Sequence, residues 1–255
     1  MVKKRIIFTL LYKNKKFVMS RNFKTNEIGD ANWIIKNYNF SEISKYIDEL
    51  VIINLDREKK NIINFIEDTK KITKRCFLPI VLGGNINDLE VAKIYFKELA
   101  DKIMINTAIF KKPEVIEKIS KIYGKQSIIA SVDFIKMKNF YYPKINCAKI
   151  TVKIKLNKYL KLIENLGVGE IYLNSIDRDG TGQGCDLDVL KSVPEEINTP
   201  LIISGGVGKS IHMLKALKNK KVDAIATANL LNFIGDTLKK AREEIYSSNK
   251  DIVPR

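Results

Sequence analysis

Along the chain, apolar β-rich runs recur with helical stretches between them. The runs are Arg5–Tyr12, Glu49–Asp56, Leu78–Gly84, Lys102–Thr107, Ser127–Asp133, Glu170–Ile176, Pro200–Gly206 and Asp223–Leu230. Eight strands alternating with helices in 255 residues predict an α/β fold, the parallel (β/α)8 TIM barrel, which typically takes ~250 residues. Helix punctuation fits between the strands. Asn87, with Glu90 one turn on, predicts an N-cap with its capping-box acid, and Pro113 predicts the first residue of a helix. No linker or low-complexity stretch divides the chain, so residues 1–255 are expected to form a single barrel domain ending in a frayed polar tail, SSNKDIVPR.

The pattern also repeats. Gly83-Gly84 and Gly205-Gly206 each end a strand, 122 positions apart (205 − 83), and Asp101 and Asp223 open two further strands at the same spacing. Asp56-Arg57 matches Asp177-Arg178 at a spacing of 121 (177 − 56). The first four and last four strands therefore read as two copies of one half-barrel. Duplicated halves predict duplicated sites at the C-terminal rim, where barrel enzymes do their chemistry.

Composition narrows the picture. A hydrophobic content of 45% excludes a disordered chain, and no apolar run approaches the roughly 18 residues of a membrane span. The N-terminal MVKKRIIFTLLYKNKK imitates a signal peptide. Its apolar run, Ile6 to Tyr12, is short and Lys13 follows without a cleavage site, so it reads as a first strand. The net charge of +16 comes from lysines spread end to end, with no RNA-binding signature, which fits solvated helix faces better than a nucleic-acid or membrane surface. Cys76, Cys147 and Cys185 are isolated, without metal-ligand spacing, and suit a reducing cytoplasm. No cofactor motif or metal cluster is expected. His212, the one histidine, reads as a structural helix residue.

Each half closes its third strand with Gly-Gly and its fourth with small or polar residues, Asn106-Thr107 and Ala228-Asn229. Glycines let backbone amides approach a phosphate, and the helix N-termini behind them add partial positive charge. One pair alone would read as a tight turn. Two at matched spacing predict a phosphorylated small molecule with a phosphate at each end. The candidate contacts are Gly84, Asn106, Thr107, Asp179, Gly180, Gly206 and Asn229.

Five segments, KRIIFTLLYKNKKFV, LGGNI, DKIMINTA, GEIYLNSIDRDGTGQGCDLDVL and LIISGGVGK, together resemble the cyclase subunit of imidazole glycerol phosphate synthase, a lyase of histidine biosynthesis. The resemblance covers almost the whole chain and is weakest around residues 138–157. It implies a two-fold repeated barrel that binds a bis-phosphate ribonucleotide at the rim. It also implies a heterodimer in which a glutaminase subunit on the N-terminal face supplies ammonia. Two aspartates of that family, at the ends of the first and fifth strands, act as general acid and base. The fifth-strand position is Asp133. The first-strand position, one repeat earlier, is Leu11 (133 − 122), and a missing general acid or base costs about 10²–10⁴-fold. The family's first-loop lysine corresponds to Met19, and its second-strand aspartate to Asn54.

The resemblance also implies four charged residues gating the N-terminal mouth: Arg5, Glu49, Lys102 and Glu170. Alternation puts Arg5, Ile7, Thr9 and Leu11 on one strand face, and likewise Lys102, Met104 and Asn106. The four charges sum to zero, which suits burial. An ion-pair plug would satisfy the same pattern. Their retention beside the lost first-strand acid favours an ammonia gate. Paralogues reading LLxKN, as LLYKN does here, accompany sugar amidotransferases of surface-glycan biosynthesis that install acetamidino groups. The expectation is a cyclase-like barrel that channels ammonia, with a sugar amidotransferase as a further partner. The alternatives are a true cyclase with a replaced acid such as Asp179, a sugar-phosphate isomerase barrel, and a non-catalytic scaffold or activator of the glutaminase.

Overall fold

The computed structural model describes residues 3–38, 40–56, 61–74, 76–228 and 237–248. The first half carries β1 (Arg5–Lys13), β2 (Lys16–Arg21), β3 (Lys24–Gly29), β4 (Glu49–Asn54), β5 (Ile80–Gly83) and β6 (Lys102–Ile105). The second carries β7 (Ile128–Met137), β8 (Phe140–Ile145), β9 (Ile150–Thr151), β10 (Glu170–Ser175), β11 (Leu201–Ser204) and β12 (Ala224–Thr227). The described helices are α1 (Ala31–Asn37), α2 (Phe40–Ile43), α3 (Ile62–Thr73), α4 (Leu89–Glu98), α5 (Thr107–Lys111), α6 (Pro113–Tyr123), α7 (Leu156–Leu166), α8 (Ser210–Leu217) and α9 (Thr237–Ser248).

Eight strands run parallel in the order β1-β4-β5-β6-β7-β10-β11-β12, and β12 pairs back onto β1 through Arg5 and Ala224, which closes the (β/α)8 barrel. All eight predicted runs are staves of it. The alternation of each stave divides its side chains between two cores. On β1, Ile6, Phe8, Leu10 and Tyr12 pack outward under the helices, whereas Ile7 packs inward with Val51, Val81, Met104, Ile129, Tyr172, Ile202, Ala224 and Ala226. The lumen is therefore a filled interior.

The half-barrel repeat is written in the hydrogen bonds. Asp101 accepts from the Ile80 amide at 2.8 Å, and Asp223 accepts from the Leu201 amide at 2.9 Å. At the rim, Asp56 accepts from the Asn14 amide and Asp177 from the Lys136 amide. The glycine pairs themselves align one residue differently from the sequence reading. Gly84 and Gly205 are the equivalent turn residues, 121 apart (205 − 84). At Gly84 φ is +100° and a Cβ would lie 1.9 Å from the Asn54 carbonyl oxygen; at Gly205 φ is +94° and a Cβ would lie 2.7 Å from that of Ser175. Both positions require glycine. Asn85, also at positive φ, is the partner of Gly206.

Three local features differ from the sequence reading or confirm it. The cap of α4 is Asp88, not Asn87: its extended backbone lets the carboxylate accept from the Val91 amide at 3.0 Å, while Asn87 donates to Asn85. Pro113 does open α6. Two arms were not anticipated. β2 and β3 form a hairpin continuing antiparallel from β1, and β8 and β9 extend β7 in the same way. The turns Asn14-Lys15 and Asn22-Phe23 hold positive φ, as two-residue hairpin turns demand. No described helix is long and apolar enough to cross a membrane. Arg57, Asn229 and the end of the polar tail lie outside the described residues.

Candidate functional site

The N-terminal mouth is closed by a ring of four charges, one from the start of each of β1, β4, β6 and β10. Arg5 contacts Glu49 at 3.2 Å and Glu170 at 2.5 Å. Lys102 contacts Glu49 at 2.7 Å and Glu170 at 2.5 Å. Each cation touches both anions, so the ring is electrically balanced. The two carboxylates differ. Glu49 is pushed above the ordinary carboxylate range because burial outweighs the pull of Lys102 and Arg5. Burial acts on Glu170 too, but the Arg5 hydrogen bond and the charges of Arg5 and Lys102 overcome it and hold its carboxyl low. We attribute the difference to contact geometry: Glu170 accepts hydrogen bonds from both cations, whereas Glu49 Oε1 meets Lys102 without hydrogen-bond alignment.

Above the ring the lumen turns apolar, then polar again. The Tyr172 hydroxyl lies 3.2 Å from Thr9 Oγ1 and donates to Ser204 Oγ at 2.9 Å, all three buried. The sequence reading missed this belt, although its signal was present. Tyr172 lies two residues beyond Glu170, and Thr9 two beyond Ile7, on strands whose period is two.

At the C-terminal rim, Asp133 on β7 is gripped from two sides. Asn174 of β10 donates to its Oδ1 at 2.9 Å, and Asn106 donates to its Oδ2 at 3.1 Å and to the Ser131 carbonyl. Burial raises the carboxyl to about 7, assisted by the nearby charge of Asp179 and opposed by the Asn174 hydrogen bond. A half-buried carboxyl that titrates near neutrality can take or give a proton. β1 and β7 lie four staves apart in either direction, so Leu11 faces Asp133 across the rim. Leu11 pairs with Ile53 and with Val18 of the hairpin. Asn54 is buried, and its Oδ1 accepts from the Asp56 amide. Met19 packs on the outer core. Asn174 was not anticipated as Asp133's second partner.

The other described phosphate candidates fall on the same rim. Thr107 opens α5; its hydroxyl accepts from the Asn146 amide of the β8–β9 arm and meets Asn106 Oδ1 at 3.3 Å. In the second half, the hairpin tip sits on Asp179 and Gly180. Asp179 Oδ2 accepts from Ser20 Oγ at 2.5 Å and from the Phe23 amide at 2.9 Å, and its carbonyl accepts from Asn22. Asp179 therefore has a holding role for the arm, a partner that sequence spacing could not show. The Gly206 carbonyl accepts from the Gly184 amide at 2.7 Å. His212, behind this loop on α8, accepts from the Gly208 amide. No group of acidic, histidine or cysteine side chains among the described residues is arranged for a metal.

Comparison with known proteins finds relatives along nearly the whole chain. The family model described as histidine biosynthesis protein matches residues 5–235. A Parasynechococcus marenigrum protein, provisionally named as an imidazole glycerol phosphate synthase subunit of HisF type, is 41% identical over 244 residues, covering 96% of this chain and 91% of the relative. The imidazole glycerol phosphate synthase subunit HisF of Chlorobium limicola is 31% identical, covering 95% and 96%. That of Methanococcus maripaludis is 33% identical over 98% of both chains. The chain belongs to the histidine-biosynthesis barrel family, in its imidazole glycerol phosphate synthase HisF branch.

Proposed function

We propose that this chain is the ammonia-conducting barrel subunit of a glutamine amidotransferase. The observation that carries the reading is one lumen with chemistry at both ends. The balanced ring of Arg5, Glu49, Lys102 and Glu170 guards one mouth, and Asp133 waits at the other. A glutaminase docked on the ring side supplies ammonia, and a phosphorylated substrate lies across the rim near Gly84, Asn106, Thr107 and Gly206. Asp133 takes the proton that ammonia sheds as it forms its new bond.

Two acceptors fit this barrel. The relatives are named for imidazole glycerol phosphate synthase, and this favours the cyclase subunit of histidine biosynthesis, in which ammonia closes an imidazole ring on a bis-phosphate ribonucleotide. A specific observation favours the other, ammonia delivery toward amidation of a surface-glycan sugar. Leu11 stands opposite Asp133 where ring closure calls for a second proton-transfer group, and Asn54 is committed to the Asp56 amide. The purified chain, given the bis-phosphate ribonucleotide and ammonium salts, distinguishes them. Turnover at ~1–10³ s⁻¹ establishes the cyclase and sinks the sugar reading. Absent turnover that Leu11→Asp partly restores supports ammonia delivery.

A further inference from the structure

Two large apolar side chains stand exposed on the N-terminal side of nearby staves. Phe77, in the loop from α3 to β5, is 93% exposed. Its neighbours are anchored: the Cys76 amide donates to the Thr73 carbonyl, Leu78 is buried, and the Pro79 carbonyl accepts from the Leu50 amide. The phenyl ring is thus held outward by a fixed backbone. On α6, Val115, Ile116 and Ile119 form the buried stripe. Ile122 continues that stripe at helical spacing, yet it is 55% exposed. Next to it, Tyr123 stacks on Phe96 with centroids 4.0 Å apart. Phe77 precedes β5 and Ile122 precedes β7. Between these staves lies β6, whose first residue is Lys102 of the charge ring.

We propose that Phe77 and Ile122 are the apolar anchors on which the glutaminase subunit seats. The inference rests on the ammonia-conducting reading and adds to it the residues that hold the partner. A helix stripe that runs on past its own core leaves a face for another molecule to cover. A phenyl ring on a fixed loop loses little freedom when covered and buries about 150–250 Å². An occupant seated on this arc lies over the start of β6 and so shields the charge ring from water, which a sealed ammonia path requires. A second copy of this chain is the poorer occupant. Two mouths facing each other would leave ammonia no way in.

The test uses the full chain and the purified glutaminase subunit from the same organism, titrated calorimetrically against wild type, Phe77→Ala, Ile122→Ala and Phe110→Ala. Phe110 is also exposed but lies on α5 at the rim end, against Tyr159. Phe77→Ala is expected to weaken binding at least ~10-fold and Ile122→Ala by several-fold, with Phe110→Ala unchanged. Thermal melting shows that each variant folds. If the wild type binds and both anchor variants bind equally well, the anchor proposal is wrong. If the wild type itself does not bind at micromolar concentration, the ammonia-conducting reading falls and the anchors with it. A concentration-dependent homodimer that Phe77→Ala abolishes assigns the arc to a second copy and overturns the proposal.

Discussion

Removing one charge from the mouth ring exposes what the ring contributes. Lys102→Met keeps most of the side-chain stem and deletes the cation that sits between Glu49 and Glu170. Arg5 then faces two carboxylates alone, and Glu49, whose side chain is only 2% exposed, carries most of the imbalance. Breaking a buried pair costs roughly 3–5 kcal/mol; because Lys102 is 22% exposed, solvent screens part of this and ~2–3 kcal/mol is expected. At about 2–4 °C per kcal/mol for a chain of this size, the melting temperature should fall by ~4–12 °C.

The pH dependence has a definite sign. Glu49 already titrates above the ordinary carboxylate range, through burial, and Lys102 opposes that rise. Without Lys102 the folded-state value climbs further. A folded value raised above the unfolded one favours folding at low pH, and that contribution is lost as pH rises through the folded value. The penalty of Lys102→Met should therefore be largest at pH 8 and shrink toward pH 5, where Glu49 takes up a proton. Urea unfolding of both proteins at the two pH values measures it. A penalty equal at pH 5 and pH 8, or below about 0.5 kcal/mol at both, would refute the claim that the ring is a buried, mutually compensated unit.

Three other outcomes follow from the rim. Asp133→Asn removes a carboxyl raised to about 7, so the wild type should lose stability as pH rises from 4 through 7 while the variant does not. At pH 8 urea unfolding should find the variant ~1–3 kcal/mol more stable, a figure discounted for the partial exposure of Asp133. Gly84→Ala places a methyl 1.9 Å from the Asn54 carbonyl oxygen at a φ of +100°. Yield and melting should show a loss above ~3 kcal/mol. Leu11→Asp, assayed with the bis-phosphate ribonucleotide and ammonium, should raise ring-closing turnover above the parent chain, and no gain would place the deficit elsewhere on the rim.

What could be read from sequence follows from the range of each interaction. The eight staves were legible because burial on both faces writes long apolar runs, and the charge ring because resemblance supplied four residues that alternation then turned inward. The hairpin arm was not legible. Phe17 and Val18 are buried, but the tip from Arg21 to Glu27 is mostly polar and exposed, and what holds it is contact with a partner 159 positions away, Ser20 on Asp179. Spacing within a motif cannot reveal that. The one-residue slip between the glycine pairs has a similar origin: matching letters paired Gly83 with Gly205, whereas the backbone pairs Gly84 with Gly205, because each must pass under a strand-end carbonyl. The cap of α4 fell on Asp88 because its backbone is extended there, a fact of geometry that Asn87 and Glu90 alone did not carry.

The surviving carboxyl limits the chemistry at the rim. When ammonia bonds to an electrophilic carbon, its nitrogen becomes positive and must lose a proton, and if an oxygen departs, that oxygen must gain one. One group whose carboxyl titrates near 7 can do both in turn, provided donor and acceptor lie on the same side of the substrate. Replacing a carbonyl or leaving oxygen by nitrogen at a single carbon meets that condition. Closing a ring across the substrate separates the two proton transfers, and then one carboxyl, held in place by Asn106 and Asn174, cannot reach both. Four staves away the facing position is a hydrocarbon, Leu11, tied into the β1–β2 hairpin by its pairing with Val18. Among the described residues, the position facing Asp133 across the rim thus carries no acid-base group, while the mouth ring is electrically balanced. On the proposed ammonia-delivery reading, a balanced mouth ring with Asp133 facing a hydrocarbon at the rim suits supplying nitrogen for a one-centre substitution.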